Sequence, residues 1–346
     1  VSARLLRLAG TAAVAAQAVL APAPAVAAPE PQRSVAELLT DLQQLYRHTE
    51  QATETYNATT EQLERQRAEV ARLDGELARA RLALQDSRTD AGRLARQQYQ
   101  NSGGLGPYVR LLLAPDPQHA LDEGHVIGEL ARARARTVGR LAAAEKRKDA
   151  LARAARKALD TQLTLAARQK TQRDDVHSRL AGVERLLAGL TPQQLAAIAR
   201  LEQQGAAEAQ RTLATAGALP ADRAASPEGE RAVHYALDQI GKPYAWGARG
   251  PRAYDCSGLT SDAWSHAGTP IPRTSQEQWE RLQRVPLKEL RPGDLVVYFP
   301  EATHVAMYVG GGKVVQAPRP GGKVTVSPIA GQPILGAVRP GPARRS

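Results

Sequence analysis

The sequence predicts an α+β domain preceded by a long α-helical coiled-coil hairpin, and three features of its 346 residues lead there. Two stretches without proline, about 34–100 and 118–190, carry apolar residues at alternating four- and three-residue steps. All three tryptophans (Trp246, Trp264, Trp279) and the only phenylalanine lie after residue 240, so the last third has material for a core that the rest lacks. That last third also reads as helices followed by short β-rich runs punctuated by Gly and Pro, the order of an α+β domain.

Residues 1–27 place Arg4 and Arg7 ahead of an Ala- and Val-rich run that ends at Ala25-Val26-Ala27, the pattern of a secretory signal peptide. Gln17, Pro22 and Pro24 interrupt that run, and no later segment is long and apolar enough for a membrane span. The expectation is a chain that works outside the membrane, in the cell envelope or wall.

The hairpin is assigned to 34–204. Leu38, Leu42, Leu45, Leu63, Val70, Leu73, Leu77, Ala80 and Leu84 mark the seam of its first arm, with Thr49, Tyr56 and Gln66 as interruptions. Turn chemistry in "NSGGLGP" and the apolar "YVRLLLAPD" place the tip near 101–117. At 1.5 Å per residue each arm is on the order of 100 Å long. Such a rod is either a passive spacer or homodimeric rod, or a regulated arm that binds a partner or covers the domain that follows; the three leucines at the tip favour partner binding. Residues 205–226 lose the periodicity, gain Gly, Pro, Ala and Ser, and read as a flexible linker.

From 227 onward "GERAVHYALDQIGKPY" and "CSGLTSDAWSHAG" read as two helices, and "DLVVYF", "HVAMYVGGG", "KVVQAP", "KVTVSPI" and "ILGAVR" as strands. The formal charge of +11 suits anionic wall polymers or headgroups better than nucleic acid, for which no motif is present. No cluster of ligand residues suggests a metal, and no cofactor is implied.

Cys256 is the only cysteine. An unpaired thiol in an oxidising compartment is either incidental or a working group. With Asp255 ahead of the helix and Cys256 opening it, the sulfur meets unsatisfied N–H groups and the positive end of the helix dipole, which lowers a thiol pKa. Three histidines are available as the base. His234 lies within a helix as a surface or packing residue, His266 sits where it caps a helix C-terminus, and His304 opens a strand that can project it towards the cysteine helix. Gln316 follows on the next strand of a hairpin, where its amide oxygen is placed to accept Nδ1–H of His304 and set the tautomer.

Four linked stretches, "GKPYAWGARGPRAYDCSGL", "IPRTSQEQW", "LRPGDLVVY" and "HVAMYVGGGKVVQAP", resemble the NlpC family of papain-like bacterial cell-wall peptidases over about residues 229–340. The resemblance implies hydrolysis of peptidoglycan stem peptides, typically at the γ-D-glutamyl bond to diaminopimelate. It implies Cys256 as nucleophile, His304 as base and Gln316 as the third polar residue, where the family often has His. It also implies a cleft lined by Tyr244, Asp255 and Ser257, and exposed Arg249, Arg252, Arg273 and Arg319 are candidates to meet substrate carboxylates. A helical hairpin ahead of such a domain is similar to division-associated wall hydrolases, and the resemblance implies a coiled coil that docks on a membrane complex and holds the peptidase inactive until signalled. A transacylase or amidase of the same fold, or a wall-binding scaffold module, are the alternatives.

Overall fold

The computed structural model describes residues 33–100, 107–217 and 223–341. The proposed signal segment 1–27 lies outside them. Helix α1 (Val35–Gln100) and helix α3 (Pro117–Ala188) form an antiparallel pair, joined at the far end through the short α2 (Pro107–Leu112). Leu73 and Leu77 of α1 pack with Ala155 and Ala158 of α3, and nearer the base Leu38, Leu42 and Tyr46 pack with Val183. Alanine on the α3 side of the middle seam lets the helices approach closely, consistent with the Ala-rich sequence there. Polar interruptions find partners across the pair: Gln66 Nε2 donates to the Ala158 carbonyl at 2.9 Å and Gln169 Nε2 to Thr60 Oγ1 at 2.9 Å.

A third helix, α4 (Pro192–Thr215), departs from the two-armed reading. Thr191 and Gln194 form a reciprocal capping box and Pro192 occupies the first turn, a combination that starts a new helix after the stop at Gly189. The helix runs to Thr215, so residues 205–215, expected as flexible linker, are ordered. The reason is tertiary: Ile198 is buried beside Leu38 and Val183, and Gln210 donates to the Gly312 carbonyl at 3.1 Å and accepts from Ala330 N–H at 3.2 Å. Low periodicity in the sequence was a poor guide to a helix pinned at both ends by other elements.

The C-terminal domain has helices α5 (Pro227–Leu237), α6 (Cys256–His266) and α7 (Ser275–Arg281) ahead of a six-stranded antiparallel sheet. Its strands are β1 (Gln283–Val285), β2 (Leu295–Tyr298), β3 (His304–Gly310), β4 (Lys313–Gln316), β5 (Thr325–Pro328) and β6 (Ile334–Arg339), in the order β1-β6-β2-β3-β4-β5. The continuous apolar runs of β2 and β3 reflect burial on both faces. Leu295, Val297, Val305 and Met307 face α5 and α6, whereas Val296, Tyr298, Ala306 and Tyr308 pack with Leu290 and Ile329 on the other side. Both cores are drawn from within this domain. The turn between β3 and β4 uses Gly310, Gly311 and Gly312, all with positive φ, so the "GGG" of the sequence is a conformational requirement.

Candidate active site

Three elements bring the site together. The N-terminus of α6 presents Cys256 and Ser257, the start of β3 presents His304, and the end of β4 presents Gln316. Asp255 caps α6, its Oδ1 accepting from Gly258 N–H at 2.6 Å. Gly258 is obligatory: a Cβ there would stand 2.1 Å from the Ala248 carbonyl oxygen, so only glycine lets the loop carrying "WGARG" close on the cysteine helix. The same Asp255 forms a buried ion pair with Arg273, whose Nη2 donates to Oδ2 at 2.6 Å and whose Nη1 donates to Ser257 Oγ at 2.7 Å. Arg273 is 7% exposed. It is therefore a structural clamp between α6 and the start of α7, and not the exposed arginine expected from the sequence.

His304 Nε2 lies 2.6 Å from Gln316 Oε1. An amide oxygen only accepts, so Nε2 carries the proton and donates. This corrects the expected use of Nδ1: the strand register aims Nε2 at β4 and leaves Nδ1 for the cleft. Gln316 is held in turn by its Nε2 donating to Ser327 Oγ at 2.6 Å.

The cleft is not open. Helix α1 of the hairpin lies in it, and two of its carboxylates reach the thiol and the imidazole. Glu54 Oε1 accepts from Ser257 Oγ at 2.7 Å and stands 3.9 Å from Cys256 Sγ, while its Oε2 accepts from the Ser275 backbone N–H at 2.8 Å. Glu50 Oε1 is 3.4 Å from His304 Nδ1, within ion-pair distance although no hydrogen bond forms. Asn57 Nδ2 donates to Asp255 Oδ2 at 3.1 Å. Around this centre Tyr56 and His177 meet the Trp246 ring edge-on at 5.0 and 5.2 Å, Glu61 pairs with Arg249, and Glu202 of α4 holds Arg319 in two bonds of 2.7 and 2.9 Å. The arginines expected to meet substrate carboxylates thus meet the chain's own: Arg249 and Arg319 across the interface, Arg273 within the domain. Arg252 is exposed.

Burial and these charges reverse the electrostatics expected for the thiol. Cys256 is 3% exposed, and burial, followed by the carboxylates of Glu54, Asp255 and Glu50, pushes its pKa well above the ordinary thiol value despite its place at a helix N-terminus. Glu54 is pushed up to about 7, by burial first and Asp255 second, against the pull of Arg273. For His304 burial acts downward, but the Glu50 carboxylate, the bond to Gln316 and Glu54 outweigh it and the net direction is up. Tyr244, 8% exposed, lies near the same charges and is raised by burial. All seven residues singled out in the sequence, Tyr244, Asp255, Cys256, Ser257, Arg273, His304 and Gln316, lie in this domain around the α6 N-terminus or on the β3–β4 hairpin. Glu50, Glu54 and Asn57 were missed, since they lie off the heptad seam and read as a solvated face. Their signal was a second polar stripe at 50, 54, 57 and 61, four or three residues apart.

A helix-borne thiol facing an imidazole on an antiparallel sheet defines a papain-like α+β domain. Residues 241–337 match the model of the NlpC/P60 family, and the chain carries an NlpC/P60 domain. It is 46% identical over 120 residues to a "probable endopeptidase" of Corynebacterium glutamicum, covering 35% of this chain and 57% of that protein. It is 36% identical over 140 residues to the peptidoglycan endopeptidase RipB of Mycobacterium tuberculosis, covering 36% of this chain and 58% of the relative. The chain thus spans little more than half the length of these curated relatives. Among solved structures, the NlpC/p60 domain of the peptidoglycan hydrolase SagA is 31% identical, over 32% of this chain and 97% of that one, with a TM-score of 0.31. Among the described residues no group of three or more His, Cys, Asp or Glu is arranged to hold a metal ion, and no helix is long and apolar enough to cross a membrane.

Proposed function

We propose that this protein is a peptidoglycan endopeptidase acting in the cell envelope, with Cys256 as nucleophile, His304 as general base and acid, and Gln316 as the residue that orients the imidazole. The observation that carries the reading is the cradle beside the thiol: Ser257 Oγ and the Ser275 N–H together hold a carboxylate whose nearer oxygen is 3.9 Å from Cys256 Sγ. A γ-D-glutamyl linkage leaves the α-carboxylate of the glutamate free, a short distance from the scissile γ-carbonyl. Such a substrate puts its own carboxylate in that cradle and its carbonyl at the sulfur, which favours the D,L bond between D-Glu and the diamino acid.

In the open form, His304 Nδ1 takes the thiol proton and the thiolate attacks the γ-carbonyl, with N–H groups at the α6 N-terminus facing the developing oxyanion. The C–N bond then breaks, the proton passes from the imidazolium to the leaving amine, and a water deprotonated by the same nitrogen hydrolyses the thioester. Gln316 keeps the proton on Nε2 throughout, so that Nδ1 remains the working nitrogen. The formal charge of +11 suits an anionic wall polymer. Leu112 and Leu113, 83% and 66% exposed at the far end of the hairpin, are the proposed contact for a membrane-associated partner of the division machinery. Deleting 103–117 is expected to displace the protein in cells without altering wall hydrolysis by its catalytic domain.

The test is digestion of purified peptidoglycan by residues 28–346, by residues 227–346, whose two cores are self-contained, and by the short form with Cys256→Ala. Mass spectrometry is expected to show D-Glu/diamino acid cleavage by the short form, none by the mutant and little by the long form. Fragments from the short form that also appear with Cys256→Ala, or products cut at another bond, overturn the reading.

A further inference from the structure

Glu50 and Glu54 are four residues apart on α1, one helical turn, so they project from the same face. Leu42 of α1 packs with Val183 of α3, whereas the bonds of Glu54 to Ser257 and Ser275 and the approach of Glu50 to His304 are made to the C-terminal domain and not to α3. Both carboxylates are almost wholly buried, at 4% and 2% exposure, and neither is paired with a cation of its own helix. Burying a carboxylate without a close cation is costly, and helices do not retain two such groups on one face for packing alone. What they meet is specific. Glu54 fills the Ser257/Ser275 cradle with both oxygens and leans on the thiol, and Glu50 stands against the free nitrogen of the imidazole.

We propose that Glu50 and Glu54 form an intramolecular carboxylate latch, in which α1 places one carboxylate where the stem peptide's own carboxylate binds and a second against His304, silencing the dyad by charge as well as by bulk. The mimicry of substrate rests on the endopeptidase reading above; the silencing of the thiol does not. A negative charge near the sulfur disfavours the thiolate, and a carboxylate at Nδ1 favours the imidazolium, so that the ring is held protonated and has no free nitrogen for the thiol proton. Withdrawal of α1 removes both at once and exposes the cradle to substrate. Arg249 with Glu61 and Arg319 with Glu202 flank the latch and hold the arm in register over the cleft.

Because Cys256 is the only cysteine, its alkylation by iodoacetamide in the full chain reads the latch directly, as one mass increment per molecule. The thiolate displaces iodide, the S–C bond forms, and the thiol proton goes to solvent. Glu50→Gln/Glu54→Gln keeps the shape of both side chains and one acceptor oxygen on each, removes both charges, and turns one of the two accepting positions of Glu54 in the Ser257/Ser275 cradle into a donor. Its alkylation is expected to be at least tenfold faster than that of the wild type at pH 7, with helix content unchanged by circular dichroism. Glu69→Gln, farther along α1 and bonded only to Arg72 of the same helix, is expected to change the rate less than threefold. A Gln pair that alkylates at the wild-type rate overturns the latch, and if Glu50→Ala/Glu54→Ala is fast where the Gln pair is slow, α1 is a lid without a role for charge. Should the double Gln variant lose helix content, Glu54→Asp decides: a carboxylate drawn back by one methylene from the cradle is expected to speed alkylation, and an unchanged rate overturns the proposal. Peptidoglycan digestion separates the two readings. Faster alkylation without faster digestion keeps the latch and refutes the substrate; unchanged alkylation refutes the latch whatever the digestion shows.

Discussion

In the proposed mechanism Gln316 orients the imidazole: its Oε1 accepts from His304 Nε2 at 2.6 Å, which leaves Nδ1 to the cleft. Gln316→Ala in the 227–346 form is expected to lower kcat about a hundredfold with little change in KM, because the imidazole loses its tautomer and not its substrate. Gln316→His is expected to keep most of the activity, and an Ala variant that matched the wild type would remove Gln316 from the mechanism. Arg273 acts differently. Its guanidinium is the only cation bonded to the fully buried Asp255 among the described contacts, so Arg273→Met leaves an uncompensated charge next to the cysteine. The expected loss is about 3–5 kcal/mol in urea unfolding of the short form. The identity of both residues was legible from the motif stretches, but not what they touch. Nδ1 versus Nε2 depends on strand register, and exposed versus buried arginine on how "IPRTS" folds back over α6.

Between α1 and the catalytic domain, protonation and closure are linked. Glu54 binds its proton more tightly in the closed form, about 7 against an ordinary 4.5, so the closed form holds more protons than the open one. That contribution to closure is fully present below 4.5 and is lost as pH rises through about 7. His304, raised in the closed form, acts in the same sense, and the raised Cys256 thiol extends it to alkaline pH. The arm is therefore expected to release as pH rises from 5 to 8. Trp246, wedged edge-on between Tyr56 and His177, reports on it: its emission should shift to the red over that range, in a background where Trp264 and Trp279 are constant, and Glu54→Gln should flatten most of the dependence. A shift in the opposite direction would refute the linkage. The elements themselves were partly readable. The heptads of α1, the α6 helix and β2 to β6 follow from periodicity, while α4, α7 and β1 escaped because each is fixed by contacts outside its own stretch.

For the whole molecule, latency depends on an interface assembled from α1, α3, α4 and the catalytic domain. Its flanking ion pairs are partly exposed and individually weak. Removing the two-bond contact of Arg319 to Glu202 by Arg319→Ala is expected to weaken closure by about 1 kcal/mol and so speed Cys256 alkylation roughly fivefold. High salt should act in the same direction, and alkylation slowed by either change would show that the pairs do not hold the arm.

The sequence by itself determined that a heptad hairpin precedes an α+β domain, because repeat spacing and alternating hydrophobicity are local, and it singled out Cys256, His304 and Gln316 as candidates from the residue types at the ends of its elements. Only the tertiary structure decided that α1 lies in the cleft. Glu50, Glu54 and Asn57 are ordinary surface residues of a helix until a domain some two hundred positions later in the chain packs against them. The resulting burial turns a helix N-terminus that would favour a thiolate into a site where carboxylates and exclusion of water hold the proton on sulfur.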